Sequence, residues 1–182
     1  NGAVRFNGAG LGLGFTNGSL PNANVYNGDQ ALCAFWDDIN TVSGTVGNIF
    51  WQEIGGTLYV QWQDVGFFAT PATERATFQI QVHSSGPAYA QFIYTDIEGA
   101  REAGGGSATI GYQGGATASN TDQYSLNAPN AVRNGSVLSV VDRDALVFTP
   151  HLPGTWIEIS GTGTPLNLAD DASADIGTTV GN

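Results

Sequence analysis

The sequence predicts an all-β fold: one antiparallel β-sandwich or jelly-roll-like domain with an extended C-terminal strand segment. Three observations carry that prediction. Apolar residues alternate with polar ones at a period of two along several stretches, as in strands with one buried face. Between those stretches stand short turn sequences built from Gly, Asn, Ser and Pro. No window shows a convincing helix, although "NANVYNGDQALCAF" has room for one short helical turn before its strand.

The elements follow in chain order. "GLGLGF" (10–15) is a weak strand, and "NGSLPN" (17–22) turns the chain after it. The apolar stretch from Ala31 runs into "FWDDIN", and "NIFWQEI" (48–54) follows with its own alternation. In "TLYVQWQ" (57–63), Leu58, Val60 and Trp62 point one way while Tyr59, Gln61 and Gln63 point the other. In "ATFQIQVH" (76–83), Phe78, Ile80 and Val82 face inward and the glutamines are expected to face out. The pair "GG" (55–56) is a hairpin turn between "NIFWQEI" and "TLYVQWQ", and "SSGP" (84–87) precedes the strand "YAQFIYT" (89–95). "GGG" (104–106) leads into "SATIGYQ" (107–113). Residues 114–136 read as loop with at most one short strand. "ALVFT" (145–149) and "TWIEIS" (155–160) are the last strands expected within the sandwich, which spans 1–160. Residues 161–182 form a separate extended segment rich in Thr, Gly, Ala and Asp.

Composition removes several function classes. Among 182 residues there are 16 acidic side chains against 5 Arg and no Lys, a net charge of -11. Nucleic-acid or anionic-membrane binding relies on a basic patch, which this balance does not supply. Insertion into a membrane is not expected either, since no apolar stretch approaches the ~20 residues of a span. Cys33 is the only cysteine, so no intrachain disulfide forms. Its flanking Leu32 and Phe35 indicate a buried thiol rather than a nucleophile. The absence of Met, at position 1 included, is expected of a processed or excised chain.

Asp37 and Asp38 are the most conspicuous acids. Adjacent strand residues point to opposite faces, so the pair does not flank one substrate atom. They read first as a strand end whose side chains cap the following turn, and second as calcium ligands helped by a loop carbonyl. Asp170, Asp171 and Asp175 form a second oxygen-rich cluster that lacks the spacing of the twelve-residue calcium loop. Calcium is thus the only cofactor these residues suggest. His83 and His151 have no partner at metal-ligand spacing. No serine sits in a nucleophile elbow and no glycine cluster opens a phosphate-binding helix, so an enzyme is not expected. Asn17 and Asn134 each begin "NGS", the pattern of a glycan acceptor.

Taken in order, "ALCAFWDDIN", "NIFWQEI", "VQWQDVGFF", "TFQIQV", "AQFIYTDI" and "ATIGYQ" (31–113) resemble the nidogen-type extracellular (NIDO-like) domain and related bacterial secreted β-sandwich modules. Upstream, "AVRFNGAGLGLGFTNGSLPN" is similar to that family's opening strand pair and polar loop. The resemblance implies a secreted or cell-surface module used in matrix, adhesion or assembly, without catalytic residues. One departure stands out. The family's opening stretch of strand is missing before Asn1, and something like it appears at 161–179. Donation to a neighbouring subunit, self-complementation and a tandem repeat all account for that displacement.

These readings converge on a structural subunit of an extracellular filament or adhesive matrix whose chief partner is itself, head to tail. Leu166, Leu168, Ile176 and Val180 are the expected donor residues. Val4, Phe6, Leu11, Leu13 and Phe15 are the expected acceptor edge. The alternative is a monomeric adhesion module that binds glycans or matrix components through an exposed aromatic.

Overall fold

A computed structural model describes residues 1–6, 14–22, 24, 29–41, 47–68, 70, 73–97, 99, 104–116, 120–141, 145–149 (backbone only), 156–168, 174, 176 and 177. Its strands are β1 (Gly2–Arg5), β2 (Ala31–Trp36), β3 (Ile39–Asn40), β4 (Asn48–Ile54), β5 (Thr57–Phe67), β6 (Arg75–His83), β7 (Ala90–Asp96), β8 (Thr109–Gln113), β9 (Thr121–Leu126), β10 (Val137–Val141), β11 (Ala145–Thr149) and β12 (Thr164–Pro165). One sheet runs β1-β2-β8-β9, and the other runs β11-β10-β7-β6-β5-β4-β12, with β3 paired to the far end of β5. The two sheets pack face to face as the alternation predicts, and the main core lies between them.

The β4–β5 hairpin shows how local chemistry sets register. Gly55 and Gly56 both take positive φ (57° and 79°), which places Ile54 opposite Thr57. A two-residue turn of that hand suits the twist of its strands, and glycine takes both φ values without strain. The next pairing puts Leu58 opposite Val82, Val60 opposite Ile80 and Trp62 opposite Phe78. All six side chains are buried in the core. The Trp62 and Phe78 rings stack with centroids 4.8 Å apart. From the smaller sheet come Leu32, Ala34, Ile110 and Tyr112. The buried Tyr94 hydroxyl ties the sheets together by donating to the Ala34 carbonyl (2.7 Å). Burial raises the Tyr94 pKa well above 10.0, so the group remains a donor.

β2 is buried along its whole length, which is why "ALCAFW" lacks a polar face. Leu32, Ala34 and Phe35 enter the main core, whereas Ala31, Cys33 and Trp36 join Ala3 and Leu20 in a second cluster. Two successive residues turn inward because the β2–β8 register shifts between Cys33 and Trp36, as at a bulge. Cys33 is a buried free thiol. β9 is the one short strand expected in the stretch 114–136. β10, "VLSVV", was not foreshadowed by alternation, because four of its five residues are buried and both of its faces are covered.

The outer faces of both sheets are covered by extended chain. Residues 14–22 lie over the smaller sheet, whose side chains bind their backbone. Gln123 Oε1 accepts from the Leu20 amide (2.8 Å), Gln113 Oε1 accepts from the Asn22 amide (2.6 Å), and Thr109 Oγ1 donates to the Gly18 carbonyl (2.8 Å). Residues 156–168 do the same on the larger sheet. This C-terminal strap meets β6 at Gln79, β5 at Gln61 and then β4, where β12 adds an edge strand.

Two expectations change here. Gln61 and Gln79 do point away from the core, yet both are 0% exposed, because the strap covers them. Residues 156–159 form no strand. They run across the sheet instead of along an edge, so their backbone groups are satisfied by glutamine side chains in place of a ladder. Gln79 Nε2 donates to the Ile157 carbonyl (2.8 Å), and the Ile159 amide donates to Gln61 Oε1 (3.2 Å). Ile159 is fully buried at that point.

Glu158 adds a pH dependence to this attachment. Partial burial opposes its charge, but hydrogen bonds from Ser160, Gln61 and Trp156 outweigh that and hold its pKa below the ordinary 4.5. A carboxyl with a depressed folded-state pKa stabilises fully above its unfolded pKa, and the contribution is lost as pH falls through the folded value. Protection of the Ile159 amide from hydrogen exchange is therefore expected to be constant at neutral pH and to weaken below pH 4.5. In Glu158→Gln that acid-dependent loss disappears. An identical acid profile in the variant would assign the effect to other groups.

Candidate functional site

Two places gather the residues singled out by sequence. The first is the strap. Beyond its contacts with the glutamines, the Leu166 amide donates to the Ile49 carbonyl (2.9 Å), and Thr41 Oγ1 donates to the Leu168 carbonyl (3.1 Å). Asn48 Nδ2 donates to Asn167 Oδ1 (2.7 Å). Leu166, Leu168 and Ile176 are half-buried against the main core of their own chain. Val180 lies outside the described residues.

The expected acceptor residues lie elsewhere. Val4 is in β1, on the smaller sheet, and Phe6 follows it with its amide donating to the Gln30 carbonyl (2.9 Å). Both are half-buried against the main core. Leu11 and Leu13 lie outside the described residues. In this single chain the C-terminal segment, the expected donor, occupies the edge of β4, not that of β1.

The second place is the corner at "FWDDIN", where the chain leaves β2 in one sheet and enters β3 in the other. Asp37 is 4% exposed. One of its carboxylate oxygens accepts from the Asp38 amide (2.7 Å) and the other from Ser107 Oγ (2.6 Å). The Ile39 amide donates to the Asp37 carbonyl and the Phe68 amide to the Asp38 carbonyl (both 2.9 Å). Asp37 therefore caps the turn that carries the chain between sheets, a charged acceptor satisfying backbone and hydroxyl donors.

A cleft of about 590 Å³ opens beside this corner, lined by Phe15, Thr16, Asn17, Asp37, Asp38, Glu74, Gly106, Ser107 and Asn127. Sequence pointed to Phe15, Asn17, Asp37 and Asp38 for separate reasons. Thr16, Glu74, Ser107 and Asn127 carried no local signal, because the lining comes from five separate segments. Asn17 Nδ2 donates to Asn127 Oδ1 (2.7 Å) and Thr109 Oγ1 (3.2 Å), so both of its amide hydrogens are engaged. Asn134, the other "NGS" asparagine, accepts from the Ile97 amide (2.7 Å). Asp170, Asp171 and Asp175 lie outside the described residues. Among the described residues no three His, Cys, Asp or Glu side chains are grouped to hold a metal. His83 belongs to the β5–β6 pair, where its Nδ1 lies 3.2 Å from Thr57 Oγ1. His151 is outside the described residues.

Two antiparallel sheets, packed face to face, joined at a carboxylate-capped corner and covered on both outer faces, define an all-β sandwich module. The chain belongs to the NIDO related family, which matches residues 1–150, and so to the nidogen-type, NIDO-like domains. That family points to an extracellular domain and is not a known enzyme family. No curated protein and no solved structure matches the chain. The strap lies beyond the matched 150 residues, although it covers a sheet that lies within them.

Proposed function

We propose that this protein is a structural subunit of an extracellular or cell-surface filament or adhesive matrix, assembled by donation of its C-terminal segment to a neighbouring copy. One observation carries the reading. Residues 156–168, outside the family match, complete the β4 edge and cover the glutamine row through backbone and amide bonds. The same bonds form equally well with a segment from a second copy, as in domain swapping. Which arrangement dominates then depends on concentration and on the reach of the connecting chain. Donation from head to tail is heterologous, and an interface of that kind that does not close grows into a fibre. The charge of -11 sets up repulsion between copies, so salt should promote assembly by screening it.

A pair of cysteines reads the arrangement directly. Pro165 stands opposite Phe50 in the β12–β4 register. In a Phe50→Cys, Pro165→Cys variant of the full chain, oxidation of assembled material should give a ladder of covalently linked chains on a non-reducing gel. Cross-linking confined to monomers, from preparations that do contain filaments, would show that the strap stays on its own chain.

A further inference from the structure

We propose that the cleft beside the sheet-crossing corner is a binding site for an uncharged saccharide, with Phe15 as its stacking platform. The chemistry of the walls selects the ligand. Phe15 is 48% exposed and lines the cleft, a large apolar side chain among mostly polar residues. Thr16, Asp38, Glu74 and Asn127 line the same cleft. Among the described residues no Arg or His lines the cleft, and its charged side chains Asp37, Asp38 and Glu74 are all acidic, which disfavours phosphates, nucleotides and acidic sugars. A bare metal ion is not favoured, since no three ligating side chains are grouped for one among the described residues. A wholly apolar ligand would strip water from the carboxylates without replacing their hydrogen bonds.

A pyranose ring meets both demands. Its hydroxyls donate to carboxylate and amide oxygens, in bonds strengthened by the acceptor charge. Its C–H face lies on the aromatic ring, burying apolar area on both sides. The volume of about 590 Å³ falls within the range of small-ligand sites, roughly 300–1,000 Å³. The walls are also held in place before any ligand arrives. Asp37 is fixed by Asp38 and Ser107, and Asn127 is held by Asn17 and by its backbone N–H, which donates to the Ala108 carbonyl (2.9 Å). Glu74 accepts from the Thr70 hydroxyl. Preorganised polar groups of this kind lower the ordering cost of binding.

The test uses the full chain on an array of neutral oligosaccharides of glucose, galactose, mannose and N-acetylglucosamine, with sialylated and sulfated glycans and an oligoarginine peptide alongside. The expected result is binding to one or more neutral glycans. Titration of the best of them should show an affinity about tenfold weaker in Phe15→Ala, with affinity retained or improved in Phe15→Trp. Both variants should keep the parent's unfolding midpoint, since Phe15 lies at the surface. Three outcomes would overturn the proposal: no neutral glycan bound, binding unchanged in Phe15→Ala, or binding of the oligoarginine peptide alone. None of them bears on strand donation, which is read at positions 50 and 165.

Discussion

A chain ending at Thr155 is expected neither to assemble nor to keep the full protein's stability. Truncation there removes β12 from the β4 edge and uncovers the glutamine row of β5 and β6. It also removes the buried Ile159 and the half-buried Leu166 and Leu168. Full burial of one such side chain is worth about 1.5–3 kcal/mol. The lost partners of Gln61 and Gln79 add about 1–3 kcal/mol. A total on the order of 3–6 kcal/mol is a large share of the roughly 5–15 kcal/mol typical of a domain. Urea unfolding should therefore show a clearly lower midpoint, and electron microscopy should show no filaments. A synthetic peptide of residues 156–168 should raise the midpoint toward the parent's in a saturable way, because it supplies the hydrogen bonds of the strap from a second molecule, though not the Ile176 contact. A truncated chain with the parent's midpoint, still forming filaments, would rule out any complementing role for the strap.

The second large effect is expected from Gln61→Leu. Gln61 uses its full hydrogen-bonding capacity. Its Nε2 donates to Gln63 Oε1 (2.8 Å) and Glu158 Oε1 (2.7 Å), while its Oε1 accepts from Gln79 Nε2 (3.1 Å) and the Ile159 amide (3.2 Å). Leucine fills much the same volume but leaves the buried Ile159 amide and one Gln79 hydrogen without acceptors. Unsatisfied buried groups cost about 1–3 kcal/mol each, so a loss of about 3 kcal/mol is expected. Hydrogen exchange at Ile159 should accelerate along with it. A change below about 0.5 kcal/mol, within the ordinary range for surface substitutions, would mean that water reaches this face and that the network is not closed.

These two variants act at positions whose orientation was legible in the sequence and whose environment was not. The alternation in "VQWQ" and "TFQIQV" turned Gln61 and Gln79 away from the core, as found. Glutamine at such positions, in a chain with only 12% charged residues, was a weak hint that the outward face is not open to water. The corner behaved similarly. That the chain turns at Asp37 and Asp38, with the Asp37 side chain as a cap, followed from their place after an apolar run. That Ser107 supplies a second donor to Asp37 is a contact across 70 positions of chain, with no local trace. β2 and β10 carried too little alternation to read as half-buried strands, because each is buried on both faces.

By itself the sequence determined the all-β class, the inward residues of β5 and β6, the hairpin at Gly55 and Gly56, and the chain's net charge of -11. Those features are local: they depend on a period of two, on the φ values open to glycine, and on summed charge. Only the tertiary structure decided which outward faces stay wet, which edge the C-terminal segment occupies, and which loops meet at the cleft. The Ile159 amide reaches Gln61 across 98 positions of chain, and Asn17 reaches Asn127 across 110. Contacts at such separations follow from how the two sheets pack and where the connecting chain crosses them, and no short window of sequence contains that information.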